Sequence, residues 1–421
     1  MATPGKRVGV IISGSNVNSN NYTNYYSYKV TSERLMNILP ERSRQKQVAD
    51  NALEVELLLC CARTNIDSNR SQIIRKLLQK SLDWSYLTHT AVRHGVMPLL
   101  YRSLSTICPE VVPKDILTKL KALFETNAAH NRFLTSSLLQ LLNLFEKHDI
   151  LAVPFKGPVL ATSAYRHLAL RQFGDLDILF NKQEDVLKAR NLLISLGYQN
   201  AEQLTYEQEI AQLQSPYVKA YTYKHNELRV IVELHWQLRA NYSAFPLDYE
   251  SLWKRLTSVS LGDTKVSNLS PEDEILYLCA HGSGDRWQKL LQICDIAEVL
   301  RTHQNLNWQE MLEQAIRLCC QRRLFLGLFL AQEFLEVYLP TEVRQKLQTE
   351  PSVMWLVNWV RQRLFPKAQE SSPIFNQALF DLVCLEDLQD KGNYLRDRSN
   401  LLIAKKLRLG FAKKYGLPGG K

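Results

Sequence analysis

The chain has 421 residues, 45% of them hydrophobic, and a formal net charge of +10 at pH 7. This length is ample for a sizeable core and fits one large domain or two to three small ones. No run approaches the roughly 20 apolar residues of a membrane helix, and the N-terminus lacks the apolar core and cleavage site of a secretory signal, so we expect a cytoplasmic protein without a transmembrane segment.

Low complexity marks the first part of the chain, and helical periodicity marks the second. Residues 1–47 include the stretch SGSNVNSNNYTNYYSYK, which is rich in Asn, Ser and Tyr and has no helical period; we predict an extension there. Over residues 48–148, segments such as VADNALEVELLLCCA and FLTSSLLQLLNLFEKH repeat apolar residues at three- and four-residue spacing. That spacing predicts a helical N-terminal lobe.

The pattern changes after residue 149. ILAVPF, GDLDILF, YVKAYTYKH and LRVIVELHWQL predict strands, and the segments between the first three predict helices, so residues 149–262 form a compact α/β core. Residues 263–395 return to helical periodicity, and Ser270 followed by Pro271 predicts a helix N-terminus there. We expect this part to be a helical C-terminal lobe.

Charge and cysteine placement add two expectations. From residue 396 to 421 the chain holds eight basic residues against one acidic residue, and this tail is either a solvated segment or a contact for nucleic acid or another anionic partner. The eight cysteines show no CxxC spacing, and adjacent pairs lie in apolar runs such as LLLCCA. They are therefore expected to be reduced core residues rather than zinc ligands.

Two aspartates open an apolar strand in GDLDILF. Strand alternation puts Asp175 and Asp177 on one face, roughly 7 Å apart at the backbone, so both side chains can reach one cation. Two like charges this close are costly unless a metal or a base neutralises them. The same spacing also occurs in Glu54-x-Glu56 and Glu272-x-Glu274, which resemble ordinary solvated acids, so the apolar context carries the prediction.

A third acid lies in the strand LRVIVELHW. Glu233 shares a face with His235 in the middle of an apolar strand, where an unpaired carboxylate is expensive. It is either a metal ligand beside the two aspartates or one half of a structural ion pair with Lys or Arg.

Upstream, FKGPVL places Lys156 and Gly157 at a strand-to-helix junction. Glycine permits close backbone approach, free amides at a helix start favour phosphate, and lysine adds a positive charge. Arg171 lies just before the acidic strand and could reach the same anion. A plain turn at Lys156-Gly157 and a salt bridge at Arg171 are the alternatives.

Together these motifs resemble the uncharacterised nucleotidyltransferase family of the polymerase-beta-like superfamily. The likeness covers about residues 50–340 and is strongest from 150 to 240. It is carried by Lys156-Gly157, Tyr165, Arg171, Gly174-Asp175-x-Asp177 and Glu233-x-His235-Trp236. Three features differ from the superfamily pattern: a Lys-Gly rather than Gly-Ser turn, a longer gap to the aspartates, and Glu as the third acid.

The resemblance implies an α+β fold, mostly α, with a polymerase-beta-like nucleotidyltransferase mixed sheet between N- and C-terminal helical lobes. It also implies that Asp175, Asp177 and Glu233 hold Mg²⁺ (or Mn²⁺) for in-line transfer at the α-phosphorus of a nucleoside triphosphate. Lys156, Gly157, Arg171 and Gly174 would bind that nucleotide.

Further residues around this centre are candidates for a supporting shell rather than for chemistry. They are Tyr165, His235, Trp236, His281 and Asp295.

Three functions therefore stand as hypotheses from the sequence. The first is a Mg²⁺-dependent nucleotidyltransferase with a protein, small-molecule or RNA acceptor. The second is an inactive relative that binds nucleotide or a partner protein. The third is a nucleic-acid-binding module that uses the basic tail, although the tail offers few aromatic residues for base stacking.

Overall fold

A computed structural model of the chain describes residues 51–215, 218–238, 249–365 and 374–396. The described part is mostly helical and contains a five-stranded mixed sheet and a two-stranded hairpin, so the predicted α+β class is confirmed. The predicted extension (residues 1–47) and the basic tail beyond residue 396 lie outside the described residues. Within the described ranges, none of the helices combines the length and apolar character that a bilayer crossing requires.

Five helices precede the sheet in the described part of the chain. They are α1 (Ala52–Cys61), α2 (Ser68–Leu78), α3 (Trp84–Arg93), α4 (Met97–Ile107) and α5 (Lys114–Glu146). Helix α5 is 33 residues long, and its buried positions recur every three or four residues from Leu120 to Phe145. This period gives the helix one continuous buried face, which is mostly apolar but includes Asn127 and Asn131, and burial along its length explains why so long a segment stays helical.

The central sheet and its connections lie within residues 152–235. They comprise β1 (Ala152–Phe155), α6 (Gly157–Ser163), a 3₁₀ turn (Leu168–Leu170), β2 (Leu176–Phe180), α7 (Gln183–Ser195), β3 (Gln199–Asn200), α8 (Tyr206–Leu213), β4 (Ala220–His225) and β5 (Val230–His235). The four strands predicted from the sequence are thus confirmed as β1, β2, β4 and β5. The two-residue strand β3 was not anticipated.

Strand order in the sheet is β1-β2-β5-β4-β3. Strands β2 and β5 are parallel neighbours, while β1 pairs with β2, and β4 with both β5 and β3, in the antiparallel sense. The parallel pair matters most for the site. Parallel strands need a long connection, so β2 and β5 lie side by side although two helices and two strands separate them in the chain. Residues far apart in sequence therefore become direct neighbours.

After the sheet come a hairpin and more helices. These are α9 (Tyr249–Lys254), β6 (Thr257–Leu261), β7 (Thr264–Asn268), α10 (Pro271–Gly284), α11 (Leu290–Thr302), α12 (Trp308–Arg317), α13 (Gln321–Leu335), α14 (Thr341–Gln348), α15 (Pro351–Leu364) and α16 (Ile374–Cys384). The hairpin was not predicted, although Gly262-Asp263 between two alternating segments is a turn signal. Ser270 caps α10 by accepting a hydrogen bond from the Asp273 amide, as its sequence predicts.

Two hydrophobic cores organise these elements. The larger one contains side chains from α1 to α5 together with side chains from α10 to α16, so the helices before and after the sheet pack against each other. The smaller core lies against the sheet and includes one end of α5 and the β6–β7 hairpin. The sheet is consequently held against a single helical body.

All eight cysteines lie in the described residues and are free thiols, and seven of them are buried. The expected core role is therefore confirmed for those seven, while Cys319 is half-exposed.

Close packing between α13 and its neighbours gives a stability prediction. A Cβ atom at Gly327 would lie 2.4 Å from Cys279 Sγ and 3.0 Å from Ile296 Cδ1. We expect Gly327→Ala to lower the free energy of unfolding by about 1–3 kcal/mol through overpacking, despite alanine's better helix propensity. Gly392→Ala, where nothing lies within 4 Å of the added atom, is the control. Urea unfolding of both variants checks this, and equal stability of the two would contradict it.

Candidate functional site

The two central strands bring two carboxylates together in the middle of the sheet. Asp177 on β2 and Glu233 on β5 are register partners in the parallel pair. Both side chains are buried, with 3% and 1% of their residue surface exposed. The strand alternation that the sequence predicts thus leads to a pair of acids from two neighbouring strands.

His235 completes this group. Its Nε2 atom lies 3.0 Å from Asp177 Oδ1 and 3.1 Å from Glu233 Oε2. One ligand atom from each of the three residues lies within 4.8 Å of the other two, the spacing of a metal-binding group. The sequence suggested only a supporting role for His235, but in the structure it is an immediate neighbour of both carboxylates.

Two buried lysines accompany the acids. Lys156 Nζ lies 3.5 Å from Asp177 Oδ1, and Lys219 Nζ lies 4.0 Å from Glu233 Oε2. Burial would raise the pKa of the Asp177 carboxyl, but Lys156 and His235 outweigh it and hold that pKa below its usual range. Burial also raises the pKa of the Glu233 carboxyl, but His235 and Lys219 outweigh it, so that this pKa too lies below its usual value. Both carboxylates are therefore ionised at neutral pH.

Lys156 occupies an unusual backbone conformation. It joins β1 to α6 with φ of 54°, and Gly157 follows with φ of 38°. Positive φ in a lysine costs on the order of 1–3 kcal/mol and persists only where the surroundings enforce it. A Cβ on Gly157 would lie 3.5 Å from the Asp175 backbone carbonyl, so the strained turn passes directly beside the loop that leads into β2.

Asp175 lies one residue before β2 rather than within it, and it is half-buried. It is not part of the three-residue group, because that group consists of Asp177, Glu233 and His235. Its negative charge instead favours the protonated form of nearby lysines and so acts to raise the pKa of Lys156 and Lys289. Its assignment as a metal ligand therefore stays a prediction.

Arg171 is engaged in a buried ion pair. Its Nε and Nη2 atoms each donate to a carboxylate oxygen of Asp295 on α11 at 2.8 Å, and the Tyr165 hydroxyl donates to Asp295 Oδ1 at 2.7 Å. This bidentate contact corresponds to the salt bridge that the sequence left as the alternative for Arg171. It joins the segment before β2 to the helical body, and the predicted nucleotide contact of Arg171 stays a prediction.

Helix α5 fixes the same segment from another side. The Asn127 side chain donates to the Ala169 carbonyl at 3.0 Å, and the Asn131 side chain donates to the carbonyls of Leu168 and Arg171 at 2.6 and 2.7 Å. Two asparagines one helical turn apart thus satisfy two carbonyls of the 3₁₀ turn and the carbonyl of the residue after it. They set the position from which the chain enters β2.

The remaining predicted residues, Gly174, Trp236 and His281, are not part of the three-residue group. Gly174 lies in the loop before Asp175. Trp236 packs against Tyr221 in the core beneath the sheet, with ring centroids 4.7 Å apart. The His281 ring stacks on Tyr277, and its Nε2 lies 3.5 Å from Asp285 Oδ2.

Three residues near the acids were not predicted from the sequence: Lys219, Tyr277 and Lys289. Lys219 follows Val218 at the start of an aromatic strand, and a lysine in such a run was the only available signal. The Lys156 ammonium lies 5.2 Å from the Tyr277 ring centroid. Burial lowers the pKa of Lys289 to about 7, an effect that Asp285 and Asp175 partly offset. Tyr277 and Lys289 come from the C-terminal helices, so no local pattern links them to the strands.

Comparison with known proteins identifies one family. A family model described as an uncharacterised nucleotidyltransferase matches residues 80–336, more than half of the chain. No curated protein and no solved structure matches the chain.

The buried ion pair at Arg171 gives a second stability prediction. Asp295→Ala leaves the Arg171 guanidinium buried without its partner, so we expect a loss of about 3–5 kcal/mol in the free energy of unfolding. Asp381→Ala is the matched control, since Arg286 makes the same bidentate contact there at a half-buried place. Its loss should be smaller because water can reach Arg286. Chemical denaturation measures both, and a larger loss at Asp381 would refute the expectation.

Glu274 on α10 is buried rather than solvated as its sequence suggested, and this burial gives a prediction of pH dependence. Burial, with a smaller contribution from Asp295, raises the pKa of this carboxyl from 4.5 to about 8. Between those values the unfolded chain releases the proton while the folded chain keeps it, so this group's contribution to stability falls as pH rises through that window.

We therefore expect Glu274→Gln to stabilise the protein relative to the unsubstituted chain more at pH 8 than at pH 5. Urea unfolding at the two pH values measures this. Glu227→Gln, in the exposed turn between β4 and β5, controls for the general loss of one negative charge. A Glu274→Gln effect that does not change with pH would show that the raised pKa is not present.

Proposed function

Since the chain belongs to the uncharacterised nucleotidyltransferase family, we propose that it is a Mg²⁺- or Mn²⁺-dependent enzyme that moves a nucleoside monophosphate from a nucleoside triphosphate to an acceptor. The observation that carries the proposal is the pairing of Asp177 with Glu233 on parallel neighbouring strands, fully buried and within reach of one cation.

One unsatisfied atom shows whether the residues of this group suit a cation. Glu233 Oε1 is buried and has no hydrogen-bond partner among the described residues. Leaving a buried carboxylate oxygen unpaired costs free energy, and a divalent ion satisfies such an atom. The residues present therefore fit a metal-binding role.

Charge balance favours a polyphosphate substrate. Two carboxylates face two lysine ammonium groups, Lys156 and Lys219, so the centre is close to neutral before a cation enters. A divalent cation gives it a net positive charge in a buried place, and the negative charges of a triphosphate offset that excess. The arrangement is thus suited to taking up the metal and the nucleotide together.

The individual roles follow from position. Asp177 and Glu233 would hold the cation, which would neutralise charge at the transferred phosphorus. Asp175, half-buried at the entrance to β2, acts as the second aspartate of the pattern. Lys156 and the backbone at Gly157 contact the phosphates after the ammonium leaves Asp177.

Two further residues shape the place where the nucleotide lies. Gly174 keeps the approach to Asp175 free of a side chain. Arg171 acts through Asp295 by fixing the loop before β2, which makes it a positioning residue in this proposal.

The fold and partners are proposed on the same grounds. The acids on adjacent strands of a small mixed sheet favour a polymerase-beta-like core, with helices on either side in the chain. The acceptor is a protein side chain, a small molecule or an RNA end. Contact of the basic tail with nucleic acid or another anionic partner is a separate proposal for residues outside the described ranges.

Transfer of a labelled nucleotide tests the function. The full chain is incubated with Mg²⁺ or Mn²⁺ and α-labelled nucleoside triphosphates, and label is sought in protein, RNA and small molecules. We expect Asp177→Asn and Asp175→Asn each to reduce transfer by on the order of 100-fold or more, because each removes a carboxylate that would hold the cation, and the cation would stabilise the charge at the reacting phosphate. Asp263→Asn, in the exposed β6–β7 turn, is the control and should transfer normally.

Two outcomes contradict the proposal. Nucleotide binding without any transfer indicates the inactive relative instead. Transfer that survives Asp177→Asn excludes this centre as its source.

A further inference from the structure

The donor atoms at the centre include an imidazole nitrogen, and this bears on the identity of the metal. We propose that His235 Nε2 is a direct metal ligand alongside Asp177 and Glu233, and that this set selects Mn²⁺ over Mg²⁺. The inference deepens the proposed function and rests on it in placing a cation at the two carboxylates.

The first argument is the spacing of the donor atoms. The distances from His235 Nε2 to Asp177 Oδ1 and Glu233 Oε2 are 3.0 and 3.1 Å. An octahedral ion with ligands at about 2.1 Å places adjacent ligand atoms about 3.0 Å apart. Two edges of one triangular face of an octahedron, the two that meet at His235 Nε2, therefore already have the required length, and the ligand atoms of all three residues lie within 4.8 Å of one another.

The second argument is the other side of the imidazole ring. His235 Nδ1 lies 3.4 Å from the Gln237 backbone carbonyl, at the long end of hydrogen-bonding distance. A proton on Nδ1 that is donated to this carbonyl leaves a lone pair on Nε2, directed between the two carboxylates. Metal-binding histidines usually donate their second N–H to a carbonyl or carboxylate in this way, which fixes the ring.

The third argument is the unsatisfied oxygen of Glu233. Its Oε1 atom is buried without a hydrogen-bond partner among the described residues, although Oε2 of the same carboxylate lies against His235. If Nε2 carried a proton instead, that proton could be donated only to the facing oxygens, Asp177 Oδ1 and Glu233 Oε2, and Glu233 Oε1 would stay without a partner. A metal ion bound through both oxygens of the carboxylate would also satisfy Glu233 Oε1.

The ligand types then decide between metals. Mg²⁺ prefers oxygen ligands and retains several waters, whereas imidazole favours first-row transition ions. Mn²⁺ accepts both carboxylate and imidazole in octahedral geometry. Lys156 and Lys219, which face the same carboxylates, oppose any cation until an anion draws them away, so polyphosphate should strengthen Mn²⁺ binding.

Pulsed electron paramagnetic resonance of bound Mn²⁺ tests the ligand directly. The full chain is loaded with Mn²⁺ alone and with Mn²⁺ plus inorganic triphosphate, which contains no nitrogen. We expect a nitrogen coupling from one imidazole in the triphosphate sample, and this coupling should change when the histidines carry ¹⁵N. His235→Gln should abolish it, and His148→Gln, in the exposed turn that follows α5, should keep it.

Competition with Mg²⁺ measures the selectivity. In the unsubstituted protein, displacing half of the Mn²⁺ should require at least about a 10-fold excess of Mg²⁺, and His235→Gln should reduce that requirement by about 10-fold. Bound Mn²⁺ without nitrogen coupling, or no Mn²⁺ binding in either sample, overturns the inference. The isotope experiment on the unsubstituted protein keeps the test valid if His235→Gln does not fold.

The two proposals fail separately. Mg²⁺-supported transfer with no nitrogen coupling removes the His235 ligand and leaves the transferase. Nitrogen coupling that depends on His235, in a protein without transfer, leaves the metal centre and removes the transferase.

Discussion

The structure depends on two ionised carboxylates held side by side inside a sheet. Asp177 and Glu233 cannot share a buried place unless positive charge accompanies them, since like charges repel strongly where water is excluded. The protein meets this requirement with two lysines from flanking segments, and the His235 ring lies against both carboxylates. Every other feature of the centre either supplies that compensation or fixes its geometry.

Geometry is fixed from the helical body rather than from the sheet alone. Asn127 and Asn131 on α5 satisfy the carbonyls of the turn before β2, and Asp295 on α11 holds Arg171 in the same segment. Because helices from both ends of the chain share one core, these contacts come from one packed unit. The loop carrying Asp175 is thereby clamped between rigid elements, as accurate positioning of a reacting group requires.

Part of the centre could be predicted from local pattern. The period of two in GDLDILF and LRVIVELHW identified two strands, and the acids in these apolar segments singled out Asp175, Asp177 and Glu233, because burying an unpaired carboxylate costs much free energy. In the structure Asp177 and Glu233 lie together, whereas Asp175 lies one residue before β2 and outside the three-residue group. The same reasoning gave His235 only a supporting role, although alternation placed it on the face of Glu233. Its proximity to Asp177 depends on the register of the parallel pair, which no sequence pattern specifies.

Local sequence thus determined where the strands and helices form, which face of each strand carries charge, and that the thiols are largely core residues, because those properties depend on neighbours within a few positions. Tertiary structure alone decided that Lys219, Tyr277 and Lys289 surround the acids and that Arg171 pairs with Asp295. Arg171 and Asp295, for example, are 124 positions apart, and such contacts follow from strand order and helix packing across the described residues. Long-range pairing of this kind leaves no periodic trace in the sequence, so it appears only once the chain is folded.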